Sequence, residues 1–211
     1  MKWETLLRTV GEEPVFSSAL LMTPEEKPAD VQKQLSRWSK AGKLLQLRKG
    51  VYALAPPYRK SVPVPFLVAN HLKPASYVSL QSALAYHGMI PEHVPEVTSV
   101  TTGRPERLET PLGRFSFRHV KKSLFFGYRQ VEIAARQEAF VALPEKSLLD
   151  LVYLTPEADT AAYLEGLRLQ NLESLHTSRL LEMAERFGSP KLMRSAASIL
   201  RIAAEEEYES L

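Results

Sequence analysis

"PADVQKQLSRWSKAGKLLQLRKGVYAL" runs from Pro28 to Leu54 and decides how the N-terminal part of the chain is read. Pro28 suits the first turn of a helix, and Asp30 stands where the helix dipole favours a carboxylate. Val31, Leu35 and Trp38 recur at i, i+4 and i+7, which draws a narrow apolar stripe along one helical face. Gly42 is a natural stop. The spacing predicts a helix from Pro28 to about Ala41, then strands over about Leu44–Leu47 and Val51–Leu54 turned at Gly50.

Upstream, Trp3, Leu6, Leu7 and Val10 predict a helix over residues 2–10, closed by Gly11. Pro14 to Met22 reads as a second helix with Val15, Phe16, Ala19 and Leu20 inward. Three helices followed by two strands is the layout of a winged helix-turn-helix, assigned here to residues 1–55. On the third helix Lys33, Arg37 and Lys40 also fall at i, i+4 and i+7, roughly opposite the apolar stripe. Gln32, Ser36 and Ser39 line the face between, with Gln34 beside the basic row. A helix in a major groove needs this mixture, because cations engage phosphates or guanine edges while amides and hydroxyls reach base edges. Such a row by itself is most often a solvated face. The hairpin shifts the reading: Arg48 and Lys49 at its turn would meet the DNA backbone as a wing tip does.

Residues 56–65 read as a proline-rich linker, since the stretch from Ala55 to Pro65 carries four prolines and no helical pattern. Residues 66–211 read as a larger mixed domain. Helices are expected at Phe66–Leu72, Ser79–His87 and Pro144–Leu154. Strands are expected at Glu96–Thr102, Gly113–Val120, Gln130–Ala135 and Ala139–Leu143. From Glu157 the pattern is helical, broken near Asn171 and at Gly188-Ser189-Pro190, and the acidic cluster Glu205, Glu206, Glu207 and Glu209 is expected to fray. The fold class is thus α+β, a winged helix-turn-helix followed by a domain with a small β-sheet and a helical C-terminal part.

Charge is distributed unevenly. Residues 1–60 hold 11 basic against 6 acidic side chains, residues 101–130 hold 7 against 2, and residues 131–211 hold 8 against 14. Two basic zones before an acidic end point to a polyanionic partner and to a second, different one. In the second basic zone Arg104 and Arg107 lie in a loop, while Arg114 and Arg118 alternate with Phe115 and Phe117 on a strand. Those arginines are candidates for additional phosphate contacts. The interleaved aromatics keep an RNA-binding protein open as an alternative, against the ordinary reading of inward phenylalanines.

Catalytic patterns are missing. The histidines at 71, 87, 93, 119 and 176 show no HxxxH or HExxH spacing, no G-x-S-x-G surrounds a serine, and there is no cysteine. Asp150 is expected to pair with Lys146 one helical turn earlier rather than to serve as a catalytic acid. The expectation is a binding protein and not an enzyme, with no catalytic residue, metal or cofactor. No apolar run approaches the roughly 20 residues of a membrane span and no signal core opens the chain, so no membrane partner and a cytoplasmic location are expected.

Four blocks in order carry a family resemblance: Val31–Leu54 above, "YVSLQSALAYHGMIPE" (Tyr77–Glu92), "TTGRPERLETPLGRFSFRHV" (Thr101–Val120) and "LPEKSLLDLVYL" (Leu143–Leu154). Together they resemble the AbiEi-type antitoxins of abortive-infection, type IV toxin–antitoxin systems. The resemblance implies an autorepressor that binds inverted repeats in double-stranded operator DNA, with Gln32, Lys33, Ser36, Arg37, Lys40, Arg48 and Lys49 as its DNA-contacting candidates. It further implies a C-terminal domain that counteracts a cognate nucleotidyltransferase-like toxin. The alternative from the same layout is a winged-helix transcription regulator with a sensory or oligomerisation domain and no toxin.

Overall fold

The computed structural model describes residues 1–24, 26–92 and 94–209, without the side chains of 206–209. His93 and the side chains of Glu206, Glu207 and Glu209 therefore lie outside the described residues. The chain is mixed α+β. Its N-terminal part contains α1 (Trp3–Val10), β1 (Phe16–Ser17), a 3-10 turn (Ser18–Leu21), α2 (Pro28–Lys40), β2 (Leu44–Arg48) and β3 (Val51–Leu54). The sheet order is β1-β3-β2, all antiparallel.

The helix expected at Pro14–Met22 is a correction. Phe16 and Ser17 instead add a third strand to the hairpin, with Phe16 opposite Tyr52 and its ring stacked on it at 5.9 Å. The Ser17 hydroxyl accepts from the Ala19 amide and starts the 3-10 turn. A strand of two residues has no period, so only its partner selects it. α2 matches its expected bounds within a residue. Val31 and Leu35 are fully buried against Leu6, Val10, Phe16 and Leu21. Trp38 meets the edge of Trp3 at 5.1 Å.

The remainder contains α3 (Pro65–Leu72), β4 (Ser76–Val78), α4 (Leu80–Tyr86), β5 (Glu96–Thr101), β6 (Glu106–Thr110), β7 (Gly113–His119), β8 (Tyr128–Ala134) and β9 (Gln137–Ala142). Then follow α5 (Pro144–Leu154), α6 (Ala161–Gly166), α7 (Thr177–Phe187) and α8 (Pro190–Glu209). Six strands form one sheet in the order β6-β7-β5-β4-β9-β8, with β5/β7 and β4/β9 parallel. β4 and β6 are strands where the sequence predicts none. None of the described helices is long and apolar enough to cross a membrane.

The hairpin is buried on both faces. Leu44, Tyr52 and Leu54 belong to the core of α1 and α2, whereas Leu47 and Ala53, with Val15, join the core of the large sheet. Segment 56–65 is fixed rather than a free tether. Tyr58 packs edge-on against Trp3 at 5.2 Å, and the Gln137 side chain accepts from the Val64 amide and donates to the Val62 carbonyl. The fragment 1–60 would expose Val15, Leu47 and Ala53. It is expected to melt less cooperatively than the full chain or to aggregate, as circular dichroism and light scattering would reveal; a sharp, monomeric melt would refute the shared core.

The expected Lys146–Asp150 pair is present and fully buried. Lys146 Nζ also donates to the Tyr77 hydroxyl at 2.8 Å. Asp150 accepts from Tyr77 at 2.9 Å and from Ser79 at 2.8 Å. Burial pushes the lysine down and the aspartic acid up, and each partner's charge opposes that shift. Lys146→Met should cost about 3–5 kcal/mol because it strands a buried carboxylate. Adding Asp150→Asn should recover part of the loss, since it removes the charge and keeps an acceptor for Tyr77 and Ser79. Urea titrations of the two variants check this.

Candidate nucleic-acid interface

α2 sets one group of candidates side by side. Its apolar stripe faces inward, so Gln32, Lys33, Ser36, Arg37 and Lys40 are all exposed on the remaining surface. The Gln32 amide donates to the Tyr52 hydroxyl at 3.3 Å, which ties it to β3. Lys33 stands 3.9 Å from Asp30, both well exposed, a geometry that contributes little. Among the described residues Arg37 and Lys40 form no ion pair. They occupy the last turn, where cations suit the carbonyl end of the dipole. Lys43 lies over the rings of Trp3 and Tyr58, at 5.0 and 5.9 Å, and so closes the aromatic contact that fixes α2 on α1. The Ser39 hydroxyl, expected on the outer face, is buried and has no hydrogen-bond partner among the described residues.

The hairpin turn separates its two cations. Lys49 is exposed and forms no ion pair among the described residues. Arg48, expected at the tip beside it, is half-buried and paired. The pairing of β2 with β3 shifts between Gln46 and Arg48, so Arg48 rather than Leu47 stands opposite Val51. Such an extra residue re-aims a side chain. The Arg48 guanidinium donates to the Leu72 carbonyl and lies 3.4 Å from Glu106. Lys73 reaches the same carboxylate at 2.5 Å and also donates to the Arg104 carbonyl at 3.1 Å. Arg48 is thereby a tie between the hairpin, the end of α3 and the edge strand β6. Lys73 and Glu106 carried no motif in the sequence. Their role depends on a contact 58 residues apart along the chain for Arg48 and Glu106.

The four arginines of the second basic zone do not form one patch. Arg104 is exposed on the loop that Lys73 holds next to the hairpin turn. Glu106 pairs with Phe117 across β6 and β7. By strand alternation Arg107, Arg114 and Arg118 lie on the opposite face of the sheet. Arg118 is committed there, since it donates to the Leu154 carbonyl at the end of α5 at 2.7 Å. Arg107 stays 81% exposed with Glu96 at 3.9 Å. Phe115 and Phe117 are buried, so they are core and not a stacking platform. Among the described residues no cluster of three or more His, Asp or Glu could hold a metal ion.

The fold and site together define an α+β protein in which α2 and the hairpin turn present the exposed cations Lys33, Arg37, Lys40 and Lys49. No family model matches the chain, and no curated protein matches it. Among solved structures it is similar to the crystal structure of the RV2827C protein from Mycobacterium tuberculosis, with a TM-score of 0.57 and 17% sequence identity over 94% of this chain and 74% of that one. At that identity the likeness concerns the fold alone.

Glu106 has its acidity strengthened chiefly by the Lys73 hydrogen bond, with burial opposing and Arg48 assisting. A depressed folded-state pKa gives stability that is present above the unfolded value and lost as pH falls through the folded one. Glu106→Gln should therefore cost about 1–3 kcal/mol at neutral pH. The gap to wild type should close below the ordinary carboxylate range. Thermal melts at a series of pH values test it, and a gap independent of pH would refute the assignment.

Proposed function

We propose that the chain is a DNA-binding autorepressor of the AbiEi type, with the winged helix-turn-helix in residues 1–55 and an antitoxin role in the remainder. The observation that carries the reading is the exposed face of α2. Amide, hydroxyl and guanidinium groups of Gln32, Ser36 and Arg37 share the exposed surface with Lys33 and Lys40, while the opposite stripe is buried. In this reading α2 enters the major groove, Arg37 reaches base edges, and Lys33, Lys40 and Lys49 engage phosphates. Arg104, beside the hairpin turn, extends the backbone contacts. Operator DNA with inverted repeats is the partner, and a nucleotidyltransferase-like toxin is the second. The acidic stretch 131–211 suits a basic protein surface. A second reading, a regulator with a sensory domain and no toxin, is favoured by a cleft of about 580 Å³ between the hairpin and the large sheet.

Fluorescence anisotropy on a duplex from the chain's own promoter tests the DNA-binding part. Arg37→Ala should lose about 1–3 kcal/mol of discrimination against a scrambled duplex. Lys49→Ala should weaken both duplexes alike, reduce the slope of log affinity against log salt by about 0.9, and leave the melting temperature unchanged. Arg48→Ala should lower the melting temperature and leave the salt slope intact. A slope reduced by Arg48→Ala and not by Lys49→Ala would sink the division between tie and phosphate contact. Full-chain Arg37→Ala/Lys40→Ala should still rescue growth when co-expressed with the toxin encoded beside it; loss of rescue would deny a separate antitoxin role.

A further inference from the structure

The cleft beside the hairpin lies where the large sheet opens. β4 and β9 meet at a single pair, Val78 with Val141. On the N-terminal side of that pair the amide of Phe140 donates to Asn70 Oδ1 at 2.7 Å instead of to a strand. Arg48, His71 and Lys73 line one part of the cleft, and Gln130, Glu138 and Phe140 another. Asn70 and Phe140 are shared with an adjoining pocket of about 300 Å³, walled by the rings of Phe125 and Tyr128. The volumes fall within the roughly 300–1,000 Å³ of small-molecule sites, which favour junctions between units.

We propose that this cleft binds a nucleoside monophosphate, guanine preferred, with its phosphate among Arg48, His71 and Lys73 and its base on Phe140. Arg48 and Lys73 share one carboxylate, Glu106, and so leave a positive charge unmatched. The His71 ring makes no hydrogen bond to the described residues. Burial lowers its pKa, Glu13 opposing, so the ring is neutral at neutral pH with one N–H to donate. Phe140 is 41% exposed, unusual for a phenylalanine on an interior strand, and offers a face for stacking. Glu138 faces the same space and is bonded by the Gln130 amide. That carboxylate disfavours a bare anion. It does suit a base edge bearing adjacent N–H donors, which guanine presents and adenine does not. The DNA-binding reading uses none of His71, Gln130, Glu138 or Phe140, so this site stands or falls separately.

Isothermal titration of the full chain with GMP, AMP, guanosine and inorganic phosphate tests the proposal, with a short guanine-containing single strand as a further arm. GMP should bind more tightly than the other three small probes. Phe140→Ala and His71→Gln should each weaken it about tenfold or more, with melting temperatures near wild type. Glu138→Gln should narrow the preference for GMP over AMP. A single strand that GMP displaces, and that Phe140→Ala also weakens, supports the site and assigns the nucleotide to a strand end. Absence of binding by GMP and the strand at millimolar concentration overturns the proposal. So does GMP binding that both Phe140→Ala and His71→Gln leave intact, or phosphate binding as tight as GMP binding.

Discussion

The hairpin of β2 and β3 has to satisfy two cores at once, and the placement of the cationic surface depends on this. An isolated two-stranded hairpin is marginal in water. Here β1 completes a small sheet, one face closes over α1 and α2, and the other closes onto the six-stranded sheet. The strands accordingly read "LLQL" and "VYAL", with almost no polar alternation. Near-continuous apolar strands are those buried on both faces. Gly50 completes the arrangement with φ +82. A Cβ there would also come within 3.4 Å of the Ser18 hydroxyl, whose backbone amide donates to the Gly50 carbonyl. The turn is therefore braced by the 3-10 segment as well as by its own strands.

The same constraint separates what was legible in the sequence from what was not. α2 could be read because its period, its proline start and its glycine stop are local and mutually consistent. β5, β7, β8, β9 and α5 were likewise marked by their own composition, although their bounds moved by a residue or two. β1, β4 and β6 were not. They are short, and each is chosen by the strand beside it: Phe16 by Tyr52, Tyr77 by Val100, Glu106 by Phe117. The candidate site divides in the same way. The α2 face follows from helical geometry alone. The fate of Arg48 follows from an irregularity in pairing and from a glutamate remote in sequence, neither of which leaves a local trace. One signal was available nonetheless: the lack of alternation in the hairpin strands argues against a wing standing free in solvent.

Charge that looks contiguous in sequence is distributed in space by strand alternation. Arg104 to Arg118 form a single basic stretch on paper, yet Arg107, Arg114 and Arg118 share the sheet face away from the hairpin. Arg118 serves the carbonyl end of α5, where a cation complements the dipole. Of the four only Arg104 is on the loop that Lys73 holds, and Lys73 shares Glu106 with Arg48, which ties the hairpin to β6. Rigid support of this kind orients a surface more precisely than a mobile tip can.

The buried Lys146–Asp150 pair shows how specificity enters a core otherwise made of aliphatic and aromatic groups. Desolvating two charges is costly, and attraction between them offsets that cost only when their remaining hydrogen-bonding capacity is met. Tyr77 and Ser79 meet it from β4 and the residue after it, while the rings of Phe126 and Phe187 stand 5.1 and 4.8 Å from the ammonium group. Apolar packing alone would tolerate α5 sliding along the sheet by a turn, because leucines occur on all sides of it. A displaced α5 would leave the carboxylate without Tyr77 and the ammonium without its rings. The pair thus fixes the register of α5 on β4, and with it α7, whose Arg179 and His176 neighbour reach the buried Glu145 at 3.5 and 2.9 Å.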